Sequence, residues 1–391
     1  MKLLFYRYGS ICEPDIIAGF QELGHTIIEM TEEVSNKSLL PSECVQFITK
    51  QLFDEPVDFV FSINFFPYLS DVCQIFKLPY LCWSVDSPVM ELFSASIEHP
   101  CNRIFLFDRA QYNEILPLNP DHVFHLPLAV NIASKQQVIQ SASTELHNHF
   151  SSDISFVGSL YTEKCPYDKL TDAPAYLSGY LDGLIESQIL IYGGFLIEDL
   201  LTDDIIDQFK QHLPGFYYPP YDSHLTDRKI VAQLYISSKI SAVERVRTME
   251  YLSKKYAVDL YTASDTSALT HIHNRGLAKT MEEMPLIFHN SCINLNITSK
   301  GIRSGIPLRV FDILSCGGFL LTNYQTELAE LFVPGEDLIV YDSIEDLSEK
   351  CSYYLSHESE RKEIAHNGFE KAVSQHTYQI RLEQMLTLAF S

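Results

Sequence analysis

The sequence predicts an α/β protein: two Rossmann-like, parallel-sheet domains facing a central cleft, with a helical insertion in the second. Three observations predict it. Short apolar runs without polar alternation recur along both halves of the chain, and such runs read as strands buried on both faces of a parallel sheet. Stretches of helical character separate them, which is the alternation that covers a sheet with helices. At 391 residues the chain also exceeds one core of ordinary size, so two domains are expected.

Residues 3–8 form an apolar strand ending at Gly9, 14–23 a helix stopped by Gly24, and 26–30 a second strand. A helix over 44–52 precedes a run of β-formers at 57–63. A short helix at 70–76 leads to strands at 80–85 and 103–107, a helix at 109–116 and a strand at 123–126. Gly9 stands alone in the first turn, without the GxGxxG fingerprint, so dinucleotide binding there has little support. Residues 131–153 are polar and read as a linker; a new strand, 154–157, then ends at Gly158. From 164 to 255 Tyr, Leu and Ile recur at three- and four-residue spacing, which is long for a crossover and reads as a helical insertion. Strands resume at 258–261, 293–297, 319–321 and 338–340, with a short apolar run at 286–288. The remainder is helical: an acidic start at Ser343, Glu345 and Asp346, and an amphipathic last segment at 379–390. The expected domains are therefore 1–150, then 151–375 with an insertion near 165–255, and a final helix, 376–391, packing back on the first domain.

Lys and Arg number 28 against 51 Asp and Glu, a net charge of −23. Such a surface repels polyphosphate backbones, so nucleic acid is not an expected partner, although one phosphate ligand in a local basic pocket is compatible. Residues 1–9 are too short and too β-like for a signal peptide, and no apolar run approaches the roughly 20 residues of a transmembrane helix. The nine cysteines are scattered with no CxxC pair, which suits reduced, mostly buried thiols and a cytoplasmic location. The histidines form no HExxH; His271 and His273 share one face of a strand or loop, and no metal site is expected.

The most definite chemistry lies in 299–341. A polar loop containing Arg303, Ser304 and Gly305 runs into a short apolar helix starting near Pro307, where free backbone N–H groups and the positive dipole end favour an anion. Pro307 suits the first helical position and Gly305 lets backbone approach a ligand closely. Arg309 sits at the helix start, and Asp312 follows about a turn later, placed to accept from two ribose hydroxyls. The plain alternative is a capped helix with an exposed arginine and an ordinary acid. A second constellation is Gly158, Ser159 and Lys164, where a strand end offers amides and a cation to a phosphate; a bare strand-Gly-Ser turn is equally common. Ser264, Asp265 and Gly276 follow another strand and suit contacts to a base, or simple caps. In the first half, Asp86 and Ser87 end a strand holding the only tryptophan, Trp83, and read as cleft-facing or as an Asx turn.

The ordered motifs FVGSLYTEK, LYTASDT, INLNIT, SGIPLRVFDILSCGGFLLTNY and FVPGEDLIVY resemble the CgeB-type glycosyltransferases, in which a DUF3880-like domain precedes a group-1-like domain of GT-B fold. The resemblance spans most of the chain and is strongest from Asp153 onward. It implies a transferase moving sugar from a nucleotide-diphosphate donor, a UDP-sugar, to a protein or cell-envelope glycan, without a metal or other cofactor. In the related GT4 pattern of two acids separated by seven residues, Asp312 takes the ribose-binding place and Ser304 the sugar-facing one. Lys164 matches the diphosphate lysine, while Ser159 replaces an arginine whose charge Arg303 or Arg309 would supply. The resemblance thus implies Gly158, Ser159, Lys164, Ser264, Asp265, Gly276, Gly305, Pro307, Arg309 and Asp312 at the donor, with Arg303, Ser304 and Asp86 at the reacting centre. Asp86 is the acid available as a base in an inverting reaction. Two rivals share the architecture: a sugar-nucleotide 2-epimerase, and a non-catalytic subunit that stabilises a partner.

Overall fold

The computed structural model describes residues 1–163 and 165–391. The chain divides into two compact units. One comprises 1–129, 218–225 and 376–391, the other 130–217 and 226–375.

The first unit holds a six-stranded sheet in the order β2-β1-β3-β4-β5-β6, every pairing parallel. The strands are β1 (Lys2–Tyr6), β2 (Thr26–Met30), β3 (Phe59–Ile63), β4 (Tyr80–Ser84), β5 (Asn102–Leu106) and β6 (Val123–His125). Both β3 and β4 are buried at every position, as the unalternating apolar runs require of a sheet covered on both faces. Trp83 is fully buried; its indole N–H donates to Leu126 O at 3.4 Å and its ring meets Tyr378 edge-on at 6.0 Å. Tyr378 opens the helix Tyr378–Phe390, which packs on the helix Glu13–Glu22. Gly19 makes that approach feasible, since a Cβ there would lie 2.8 Å from Leu382 Cδ1.

The second unit repeats the architecture in the order β12-β11-β10-β7-β8-β9, again all parallel. Its strands are β7 (Ser152–Val157), β8 (Val258–Tyr261), β9 (His273–Asn274), β10 (Ser291–Asn296), β11 (Leu320–Asn323) and β12 (Ile339–Tyr341). The chain leaves β7 in one direction for β8 and β9, then returns to lay β10 on the other side. The carboxyl ends of β7 and β10 therefore form the switch point where open α/β sheets place a ligand crevice. The expected insertion is present as helices Ala175–Ile189, Asp203–His212 and Ser237–Ser253, the last preceded by a π-helical stretch, Ile230–Ile236.

Two local expectations are corrected, and one unassigned run finds its element. Residues 131–153 are not a linker: they fold into helices Ile132–Ser141 and Thr144–His149, capped by Asn131 Oδ1 on Ser134 N and by Ser143 Oγ on Leu146 N. The apolar run 286–288 lies in the helix Met284–Asn290, which Pro285 opens. Pro307 is not the first helical residue. It is the N-cap, with φ −69° and ψ 155°, and the helix is Leu308–Ser315. Its end is as read: Gly317 adopts φ +69°, the left-handed position that terminates helices.

Candidate functional site

The switch point of the second unit is occupied by Arg245, a residue that sequence reasoning passed over. It projects from the helix Ser237–Ser253. One guanidinium nitrogen donates to Ser159 O, just past β7, and the other to Ile297 O, just past β10, each at 2.6 Å. Its plane lies over two rings, 4.7 Å from the Tyr161 centroid and 5.4 Å from Phe156. Its Nε–H is buried and finds no acceptor among the described residues. Burial pulls the Arg245 pKa below its ordinary value, while Tyr161 and Glu244 partly restore it.

A second cation shares this field. Arg309 follows the N-cap of the helix Leu308–Ser315, with 23% of its side chain exposed. Burial lowers its pKa, Asp312 opposes the shift, and Arg245 adds to it. The two guanidinium groups are thus close enough to repel one another inside a partly desolvated pocket. Asp312 is buried and stands between cations: Oδ2 accepts from Arg309 at 3.3 Å, and Oδ1 lies 3.8 Å from Lys135 Nζ. Lys135 comes from the segment expected to be a linker and is itself buried. Two cations on one carboxylate, with Arg245 in the field of Arg309, leave a local positive excess, which is the charge pattern that receives a diphosphate.

The loop before the helix is held by its own bonds. Lys300 N donates to Ser241 Oγ at 2.9 Å, and Lys300 Nζ pairs with buried Glu244 at 3.1 Å. Gln325 Nε2 donates to Ile302 O and Gly305 O. Ser304 Oγ donates to Glu327 Oε1 at 2.8 Å, and Glu327 N donates back to Ser304 O at 3.3 Å. A buried carboxylate from outside the motif therefore stands beside the serine. Arg303 lies in this loop, half-buried.

The other expected donor residues divide. Gly158 N–H is committed to Tyr261 O at 3.1 Å, so that amide serves the sheet and is not offered to a phosphate. Ser159 Oγ accepts from Tyr161 N and donates to Glu163, while its carbonyl takes Arg245. Ser264 is buried, its hydroxyl accepting from Leu160 N at 2.9 Å, which braces the turn after β7. Asp265 closes an exposed Asx turn on Ser267, and Gly276 (φ +77°) donates its N–H to Asn274 Oδ1 in another exposed turn. Lys164 lies outside the described residues.

In the first unit Asp86 is exposed at the carboxyl end of β4, and Asn64 Nδ2 donates to its Oδ2 at 2.7 Å. The same Asn64, at φ +59°, donates to Tyr8 OH and accepts from Val85 N and Ser84 Oγ. Burial and the neighbouring Asp86 charge raise the Tyr8 pKa. Ser87 does not act with Asp86; its hydroxyl donates to Asp108 at 2.7 Å.

Against known proteins, residues 235–387 match a family described as glycosyl transferase-like. No curated protein matches the chain by sequence. Among solved structures it is similar to Anabaena Alr3699/HepE in complex with UDP and glucose, at 11% identity and TM-score 0.51, over 100% of this chain and 99% of that one. It is also similar to a Rickettsia africae glycosyltransferase, at 10% identity and TM-score 0.53, over 99% and 97% of the two chains. Sucrose-phosphate synthase from Thermosynechococcus elongatus gives 10% identity and TM-score 0.54 over 99% and 98%. The fold is GT-B, and residues 235–387 are similar to a glycosyl transferase-like family. No described helix is long and apolar enough to cross a membrane.

Proposed function

We propose that this chain is a metal-independent glycosyltransferase of the CgeB type. It takes sugar from a nucleoside-diphosphate donor, a UDP-sugar, and delivers it to a protein or cell-envelope glycan in the cytoplasm. The observation that carries the reading is Arg245, a desolvated guanidinium pinned across the ends of β7 and β10 with Arg309 in its field. When the bond from the anomeric carbon to the diphosphate breaks, negative charge grows on the leaving phosphate. Preorganised cations in a partly dry pocket stabilise that charge without reorganising. Arg245 and Arg309 supply the field that the first-strand arginine supplies elsewhere, and Arg303 stands in the same loop to add to it. Asp312 receives the ribose hydroxyls. Uridine as the base is supported by the UDP and UDP-glucose complexes of the Anabaena protein.

The test is a panel of UDP-, GDP-, ADP- and dTDP-sugars, read by thermal shift and by release of free nucleotide. A ligand at 100 times its Kd raises stability by about 2.7 kcal/mol, so a UDP-sugar should raise Tm by several degrees and be consumed. No stabilisation by any nucleotide would sink the reading. Interconversion of nucleotide sugars with no acceptor would place the chain among the epimerases instead.

A further inference from the structure

The sheet of the first unit has a switch point of its own. The chain leaves β1 for β2 on one side and returns to lay β3 on the other, so the crevice lies at the carboxyl ends of β1 and β3. Tyr8, Asn64 and Asp86 stand just past β1, β3 and β4. Asn64 ties them together. Its backbone takes φ +59°, a left-handed conformation that asparagine tolerates better than most residues. Asn64 N donates to Trp83 O at 3.0 Å, and Ser62 Oγ donates to Asn64 O at 2.7 Å, which pins the residue in that conformation. The side-chain amide has one orientation. The Val85 N–H can only donate, and it meets Oδ1 at 3.0 Å, so the NH2 group faces the other way. That group donates to Tyr8 OH at 3.0 Å and to Asp86 Oδ2 at 2.7 Å.

The polar groups of this crevice decide what it accepts. An anion finds no amides there: the N–H groups of Tyr8, Gly9 and Ser10 all donate to Oε1 of fully buried Glu13, at 2.9, 2.7 and 3.0 Å. The Asp86 charge repels an anion further. Burial first, and the Asp86 charge second, raise the Tyr8 pKa against the effect of the Ser10 hydroxyl, so the phenol keeps its proton and offers a donor. Asp86 Oδ1 makes no hydrogen bond among the described residues and offers an acceptor. One amide thus holds a donor and an acceptor side by side. A neutral hydroxyl uses both, accepting from the phenol while donating to the carboxylate. We propose that Asn64 is a positioning residue for sugar transfer, holding Tyr8 and Asp86 about the hydroxyl of a neutral acceptor; the inference rests on the transferase reading. In that step the hydroxyl proton passes to Asp86 Oδ1 and the hydroxyl oxygen bonds the anomeric carbon. The bond from that carbon to the diphosphate breaks, and its electron pair leaves on the phosphate oxygen.

The experiment exchanges the amide and the carboxylate. Wild type, Asn64→Asp, Asp86→Asn and the double variant receive the UDP-sugar that the wild type binds, with p-nitrophenyl β-glucoside, p-nitrophenyl β-N-acetylglucosaminide and glycerol as acceptor probes. UDP release gives kcat and KM, and calorimetry gives UDP affinity. Each single exchange should lower kcat at least about tenfold while leaving UDP affinity unchanged. The double variant restores the amide–carboxylate contact with its ends reversed, so it should recover any stability lost in Asn64→Asp yet keep the low kcat. Tyr8→Phe should raise KM for the acceptor probe at least about threefold, the loss of one neutral hydrogen bond. Wild-type kcat in the double variant would overturn the proposal, since a reversed contact suffices only for a structural brace. Full activity in Asp86→Asn, or no turnover by the wild type of a UDP-sugar that it binds, would overturn it equally. Failure of the wild type to bind any nucleotide would instead remove the donor reading, and this inference with it.

Discussion

Replacing Arg245 with methionine separates two roles that the structure gives this one side chain. Methionine retains length and the apolar contact with Phe156 and Tyr161 but removes the charge. Two carbonyls, Ser159 O and Ile297 O, then lose their donors. An orphaned buried acceptor costs about 1–3 kcal/mol, so the gross loss is about 2–6 kcal/mol. Part is returned, because a desolvated charge is removed and Arg309 is relieved of a repulsive neighbour; replacing buried ionic groups with apolar ones is often nearly neutral. The expected net loss is about 2 kcal/mol of stability, leaving a folded protein. Binding should suffer differently. A charge-assisted contact contributes about 1.5–3 kcal/mol, so UDP affinity should fall about 10- to 150-fold at 1.4 kcal/mol per decade. Uridine, which has no phosphate, is the control. Calorimetric titration of both ligands, after the denaturation midpoint confirms folding, reads the difference. Equal losses for UDP and uridine would mean that Arg245 only holds the strand ends together. Unchanged UDP affinity would remove it from the site.

Three further outcomes are expected. Asp312→Asn should abolish a preference of about tenfold for UDP over 2′-deoxy-UDP, measured by competition, since the amide no longer offers two acceptor oxygens to the ribose. Gly368→Ala should cost about 1–3 kcal/mol in urea denaturation, because a Cβ there would sit 2.3 Å from Asp337 O and 2.7 Å from Leu314 Cδ2, on the back of the site helix. Burial holds the Glu244 carboxyl above its ordinary pKa despite Lys300, so the native state binds more protons than the unfolded one just above the ordinary carboxylate range. Stability should therefore fall as pH rises through that window, and denaturation midpoints of Glu244→Gln across pH 4–7 should show a shallower decline.

The sheets were legible because their strands are continuous apolar runs, and a run such as Phe59–Ile63 has few other homes. Helix ends were legible where a single residue forces the geometry, as with Gly317 (φ +69°) and Ser343, whose hydroxyl takes Asp346 N at 3.1 Å. Residues 131–153 are polar, and polarity alone does not tell a capped surface helix from a linker. Asn131 and Ser143 are ordinary cap residues, and reading them as such would have recovered both helices. Of the site, the loop and helix around Arg309 and Asp312 announced themselves through glycine, proline and charge in one short span. Arg245 did not, since a lone arginine in a helix normally faces water. Its signal was indirect: Glu244 falls four residues from Ile240 and eight from Leu252, on a buried stripe, where a charge needs a partner. The wider turns of Ile230–Ile236 also make a 3.6-residue count drift before it reaches that stripe. Lys135 and Glu327 were invisible for a simpler reason: they reach Asp312 and Ser304 from sequence-distant elements.

The first unit is assembled from three separated pieces of chain, 1–129, 218–225 and 376–391. On the ribosome this inverts the usual order of maturation. An earlier-made segment waits for a much later one, because the helix Glu13–Glu22 lacks its packing partner until Tyr378–Phe390 has left the exit tunnel. Meanwhile all of the second unit has already been synthesised. During that interval apolar surface such as Phe59 and Trp83 is less well covered than it will be. Translation pausing before Tyr378–Phe390 is made, or loss of that helix, would thus leave the first unit's sheet more exposed to chaperones and proteases.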